Sequence, residues 1–322
     1  MRLLALSADD VRAAVGMSAA IDAVADAYVE LSAGRAQSPV RLGLEADGGV
    51  ALFMPAFLSR SGALGAKIVS VFQGNAGRGL PSINGIVLLL DPETGVPRAI
   101  MDGTYLTALR TGAGSGAATR ALAREDARVL TVFGAGGQAR TQIAAVRAVR
   151  DIREVRVVSR TRTSARRLAA ELEGVEAVAV DDPIEAVRGA DVICAATTST
   201  TPVFPGTAVE PGTHVNGVGS FKPTMQEVDA RLLSGALVVV DARDAALEEA
   251  GDLIVPIREG VFGTDHIAAE LGEILAGRAP GRTSAEQVTY FKSVGNAVQD
   301  VAVGLLAVRE AEARGLGTTI EL

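Results

Sequence analysis

The chain has 322 residues, 48% of them hydrophobic, with a net charge of −7 and one cysteine. This length suggests about two domains with sizeable cores, and the apolar fraction excludes a disordered chain. The acidic balance argues against a nucleic-acid partner, and a lone Cys194 excludes an internal disulfide and fits a reducing compartment.

The apolar opening is cut off by Asp9 and Asp10, too soon for a signal peptide, and no run reaches the roughly 20 residues of a membrane helix. The sequence therefore reads as soluble and cytoplasmic, with no membrane partner. Residues 7–34 read as one helix, capped by Ser7, with Val11, Val15, Ile21, Val24 and Leu31 at helical spacing. Residues 50–54, 65–72, 83–90 and 97–101 read as strands, with a turn at Asp91–Gly95. The first region is thus α+β with antiparallel strands. From Arg128 onward, strands at 128–133, 155–159, 177–180, 191–196, 214–218 and 237–241 alternate with helical segments. That alternation predicts a doubly wound parallel sheet of the Rossmann type. Residues 264–275 read as helix, and a last helix runs from about Val294 to Arg314, with Gly315 as its stop. Cys194 falls in a buried-strand pattern and reads as an inert core thiol.

The most informative motif follows the strand at 128–133. Gly134 permits a tight reversal, Gly136 a close approach of backbone to a pyrophosphate, and Ala139 close packing of helix on strand. The helix that opens there offers free N–H groups to phosphates. The flanking strand and helix mark this as a dinucleotide-binding turn. The second strand ends in Ser159, Arg160 and Thr161, where an NAD site normally carries an acid for the ribose 2′-OH. Arg160 suits a 2′-phosphate, or else is an ordinary surface arginine. The prediction is NADP(H) in preference to NAD(H), with NAD(H) as the alternative.

In the first region Lys67 shares a strand face with Val69 and Val71, while Ile68 and Phe72 lie on the other. It is either snorkelling at an edge or lining a polar cavity. Arg110 precedes a run of tiny residues, Thr111–Ala118. So many glycines weaken a helix at about 1 kcal/mol each, which implies close approach to another backbone or to a ligand. Arg110 either clamps a carboxylate in a bidentate fork or pairs structurally with Asp102. His214 and His266 lie in different segments with no ligand-spaced partner, so no metal is expected. Glu270 and Glu273 read as structural or interfacial. Asp300 either complements the dipole of the last helix or faces the nicotinamide pocket.

Together these segments resemble the ornithine cyclodeaminase/mu-crystallin family. The matching pieces are Gly65-Ala-Lys67, Leu80–Gly85, Asp102-Gly103 with Thr107–Gly112, Gly134–Ala139, Asn216–Gly219, Glu270–Glu273, and Ser293–Gly295 with Gln299-Asp300, in family order over nearly the whole chain. The resemblance implies a substrate-binding and dimerisation domain from residues 1–119 and 295–322, a Rossmann domain from 120–294, and a homodimer. It implies an oxidoreductase at the C–N bond of a small α-imino or α-amino acid: a ketimine or pyrroline-2-carboxylate reductase, or an enzyme like alanine dehydrogenase. Arg41, Lys67 and Arg110 match the substrate positions, with Lys67 and Arg110 the catalytic pair. Ser82 matches a position near the nicotinamide. Gly134, Gly136, Gly137, Gln138 and Ala139 match the pyrophosphate loop, and Gly219 completes the cofactor set with Ser159, Arg160 and Thr161.

One departure from the family bears on the reaction. Ornithine cyclodeaminases, and some alanine dehydrogenases, carry an Asp where this chain has Phe221, and a carboxylate there holds and deprotonates the δ-amine during ring closure. Its absence favours a reductase over the cyclodeaminase alternative, in which ornithine yields proline and ammonia with NAD recycled. A second alternative is a non-catalytic, NADPH-dependent ligand-binding protein of mu-crystallin type.

Overall fold

The computed structural model describes residues 2–322. The chain divides into two compact units, one running to Arg110 and resuming at Asn296, the other spanning Thr111–Gly295.

In the first unit, an antiparallel series of strands comprises Leu42–Ala46, Gly49–Leu58, Ala63–Val71, Ile83–Leu90 and Pro97–Asp102. The sheet is not wholly antiparallel as expected, because Arg2–Leu6 adds to Pro97–Asp102 in parallel and then pairs antiparallel with Thr318–Glu321. These two strands escape sequence reading because only long-range pairing creates them. The predicted helix over 7–34 is broken in two, Ala8–Ala14 and Met17–Ser32. The break falls at Val15, extended at φ −121°, and Gly16, which caps the second helix. Ser7 caps the first in a reciprocal box with Asp10.

Strand register sorts the side chains. Met54, Lys67, Val87 and Met101 form one rung, all buried. Helices Ala297–Arg314 and Met17–Ser32 pack together, and the first also covers strands 49–58, 63–71 and 83–90. The alternate rung, Leu42, Phe53, Ile68 and Ile86, points away from that layer. Leu42 and Leu44 are 60% and 52% exposed there, so this unit carries an apolar face outward.

The second unit holds an eight-stranded parallel sheet in the order 176–179, 154–158, 129–133, 192–195, 214–217, 289–292, 237–240, 267–270. Every pairing in it is parallel. The chain leaves strand Val129–Phe133 toward one side and returns to its other side at Val192–Ala195. Between these two strands lies the switch point, outside whose carboxyl ends such sheets bind ligands. Two strands depart from the sequence reading. Thr289–Lys292 is a strand with no counterpart in the sequence pattern, and residues 264–275 are a 3-10 turn, a strand at Ile267–Glu270 and a short helix at Leu271–Leu275, not one helix. Burial on both sheet faces gave Thr289–Lys292 no alternation to read, and Ile267–Glu270 is only four residues long at the sheet edge. Glu270 and Glu273 serve structure: Glu273 accepts from the Glu270 N–H, and Glu270 from the Arg243 N–H.

Helix Gly103–Leu122 is continuous. A Cβ at Gly112 would collide with the Thr141 backbone, so the tiny residues serve approach to a neighbouring helix. Among the described residues no helix is long and apolar enough to cross a membrane.

Candidate active site and dinucleotide turn

Lys67 stands mid-sheet on the helix-covered face, 1% exposed. It is not snorkelling: its Nζ donates to Asp300 Oδ1 at 2.9 Å and lies 2.8 Å from Oδ2. Asp300, fully buried in the first turn of helix Ala297–Arg314, thus faces Lys67. Arg110, 6% exposed, places its Nε 3.0 Å from Asp300 Oδ1. That contact is coulombic, since its angles do not make a hydrogen bond and Nε has no hydrogen-bond acceptor. Asp102 does not pair with Arg110; it accepts from the Tyr105 N–H at 2.7 Å and so caps its own helix.

Gln299 braces the cluster. Its Oε1 accepts from Arg110 Nη1 at 2.8 Å and from the Asn296 N–H at 2.9 Å. Its Nε2 donates to the Tyr28 hydroxyl at 2.8 Å and to the Arg110 carbonyl at 3.3 Å. Gln299 was matched only as part of a motif; its signal was the capping box Asn296–Gln299, which places the glutamine on the first turn.

Burial of Lys67 in apolar surroundings, then the Arg110 guanidinium, push its ammonium down from an ordinary 10.5 to about 7, against the pull of Asp300. The half-buried Arg41 adds to the downward push. Arg41, Lys67 and Arg110 are therefore within electrostatic reach of one another, and Asp300 joins them. Ser82 stands apart from this cluster: it precedes Ile83, which pairs with Val71, whereas Lys67 pairs with Val87. A buried lysine that exchanges its proton near neutrality, beside a guanidinium with an unused donor, suits proton transfer next to a bound carboxylate.

In the second unit, Gly134 has φ +104°, and a Cβ there would strike the Ala196 carbonyl. Only glycine fits both demands. Gly136 and Gly137 are exposed, with no atom within 4 Å of where a Cβ would stand. Helix Ala139–Val149 begins without a side-chain cap, and the Gln138 Oε1 is buried without a partner. Ala139 is packed against the core. An open glycine cradle at an uncapped helix start fits a dinucleotide pyrophosphate. Past strand Glu154–Val158, Ser159 is half-buried while Arg160 and Thr161 are exposed. The nearby Asp181 is engaged by Arg162 Nε at 3.0 Å.

Cys194 is fully buried and its thiol is pushed up to about 12 by burial, which leaves it unreactive. His214 is pushed down to about 3 by burial, between Thr289 and Asn216, so it remains neutral and structural.

The sequence pattern of the ornithine cyclodeaminase/mu-crystallin family matches residues 2–314. A Delta(1)-pyrroline-2-carboxylate reductase of Bacillus cereus is 44% identical over 99% of this chain and 100% of its own length. The ketimine reductase mu-crystallin of Mus musculus is 39% identical over 79% of this chain and 78% of its own. The structure of Thermococcus litoralis Delta(1)-pyrroline-2-carboxylate reductase in complex with NADH and L-proline superposes with a TM-score of 0.95, at 40% identity, over 99% of this chain and 100% of that one.

Proposed function

This chain belongs to the ornithine cyclodeaminase/mu-crystallin family, and we propose that it reduces a small cyclic α-imino acid, of the pyrroline-2-carboxylate class, to the corresponding amino acid. The observation that carries this reading is the buried Lys67–Asp300–Arg110 cluster with a lysine poised at about 7. Reduction of C=N to CH–NH needs a hydride at carbon and a proton at nitrogen. A bound nicotinamide supplies the hydride. Arg110 and Arg41 hold the substrate carboxylate. Lys67 donates the proton to the imine nitrogen, while Asp300 orients Nζ. A substrate carboxylate brought beside Lys67 favours its charged form and so readies it as an acid.

The cofactor turn at Gly134, Gly136, Gly137, Gln138 and Ala139 takes the pyrophosphate, with Gly219 toward its nicotinamide end. Ser159, Arg160 and Thr161 favour NADPH over NADH, because an arginine and no carboxylate follows the second strand. The unit carrying Lys67 binds substrate and mediates a homodimer through its outward apolar face; the unit carrying Gly134 binds nucleotide. Phe221 has no group to deprotonate an amine, which favours reduction over ornithine cyclisation.

The test is to incubate the protein with NADPH or NADH and a panel of pyrroline-2-carboxylate, piperideine-2-carboxylate, pyruvate plus ammonia, and ornithine. Oxidation of the nicotinamide with a cyclic imino acid, yielding the cyclic amino acid, is expected. Ammonia and proline from ornithine without net nicotinamide change would replace the reading with a cyclodeaminase. Ligand binding with no turnover on the panel would replace it with a binding protein.

A further inference from the structure

The second unit contains a buried acid that the sequence pattern did not single out. Glu227 is fully buried, and its carboxylate gathers four donors. Oε1 accepts from the Thr197 N–H at 2.5 Å and the Thr197 hydroxyl at 2.8 Å. Oε2 accepts from the Gly219 N–H at 2.6 Å and the Ser220 N–H at 3.1 Å. Thr197 lies just past strand Val192–Ala195, and Gly219 just past strand His214–Gly217. One side chain therefore ties together the exit loops of two neighbouring strands at the carboxyl edge of the sheet.

The same loops abut the glycine turn. A Cβ on Gly134 would meet the Ala196 carbonyl and, at 3.5 Å, the Thr197 methyl. A Cβ on Gly219 would strike the Thr197 carbonyl. The three loops at the switch point are thus packed without slack around the Glu227 carboxylate. Glu227 is itself fixed from behind. Asp252, fully buried, accepts from the Glu227 N–H at 2.7 Å, the Lys292 ammonium at 2.8 Å and the Tyr290 hydroxyl at 3.0 Å. Buried acids of this kind are expensive unless every oxygen is engaged, and here each is.

We propose that Glu227 is a positioning residue for the nicotinamide half of the dinucleotide, acting through Thr197 and Gly219–Ser220 and touching no ligand itself. The proposal rests on the reading of this unit as the nucleotide binder. Glu227→Gln keeps the shape but turns one acceptor oxygen into an NH2 that faces existing donors. One hydrogen bond is lost if the NH2 faces Thr197, whose hydroxyl can turn to accept, and two if it faces the Gly219 and Ser220 N–H groups; in either case the loops must shift.

The experiment measures dissociation constants by calorimetry for NADH and for ADP-ribose, which lacks the nicotinamide, together with the melting temperature. For Glu227→Gln, NADH affinity should fall about tenfold or more, while ADP-ribose affinity changes by less than about twofold. Thr197→Val removes one donor to Glu227, along with the acceptor its hydroxyl offers the Ser199 N–H at 3.2 Å, and should weaken NADH about threefold with ADP-ribose unchanged. It decides the matter if Glu227→Gln does not fold. Unchanged NADH affinity in the folded variant overturns the proposal. So does an equal loss for both ligands, which would mean that Glu227 merely holds the unit together. Wild-type protein that binds ADP-ribose and NADH equally overturns this inference alone; wild-type protein that binds neither overturns the nucleotide-binding reading with it.

Discussion

Replacing Lys67 by Met tests the proposed chemistry most directly. Methionine matches the length of the lysine stem but cannot donate a proton, and it leaves Asp300 beside Arg110 Nε at 3.0 Å. A positioned general acid contributes about 10²- to 10⁴-fold, so kcat/KM for imine reduction should drop by at least about 100-fold. The pH profile supplies the second half of the argument. With the ammonium pushed down to about 7 by burial, then by Arg110, the acid form dominates below neutrality. Above it, kcat/KM should fall about tenfold per pH unit, reaching about 1% of its plateau two units higher. Amino-acid oxidation needs the free amine, so that direction should rise with pH across the same midpoint. The assay follows absorbance of the reduced nicotinamide at fixed subsaturating imino acid from pH 5.5 to 9.5. Binding of NADPH and the unfolding transition serve as controls for folding. The reasoning is refuted if Lys67→Met retains wild-type kcat/KM, or if it keeps a falling limb with the same midpoint, since the titrating group would then be another.

Three further outcomes follow from the same structure. Asp300→Asn should cost about 3–5 kcal/mol of stability, because it leaves two buried cations without their shared carboxylate. Lys67 already titrates near 7 in the fold against 10.5 when exposed, so the unfolded chain binds the extra proton above 7 and stability rises with pH there. Without Asp300 that rise begins at lower pH, so the deficit seen in urea unfolding should be largest below pH 7 and shrink above it; a deficit that grows with pH contradicts the assignment. Arg160→Ala should weaken NADPH about tenfold and leave NADH within about twofold, by calorimetric titration; equal effects on both would remove Arg160 from 2′-phosphate recognition. Leu44→Glu puts a charge on the outward apolar face of the first unit, where Leu44 is 52% exposed. Light scattering should show a shift from dimer to monomer, and an unchanged mass would exclude this face as the interface.

Much of the nucleotide unit was legible along the chain. Its strands are short apolar runs between helices, and the turn at Gly134 is a local pattern whose demands, a positive φ and no Cβ, are met within one loop. The sequence also places Lys67 on its strand face and Arg110 ahead of the small-residue run, because period two and helix propensity are local properties. What it could not yield are pairings between distant segments. On sequence alone the helix dipole accounts for Asp300; only the packing of the last helix over the strand carrying Lys67 turns it toward that lysine. Thr289–Lys292 becomes a strand because neighbours on both sides offer it hydrogen bonds, and Arg2–Leu6 does so between Pro97–Asp102 and Thr318–Glu321. Glu227 looks like any surface acid until the loops past two strands converge on it. Local chain geometry is encoded within a few residues, whereas the partner of a buried charge is chosen by the tertiary fold, where desolvation makes an unpaired group too costly to leave.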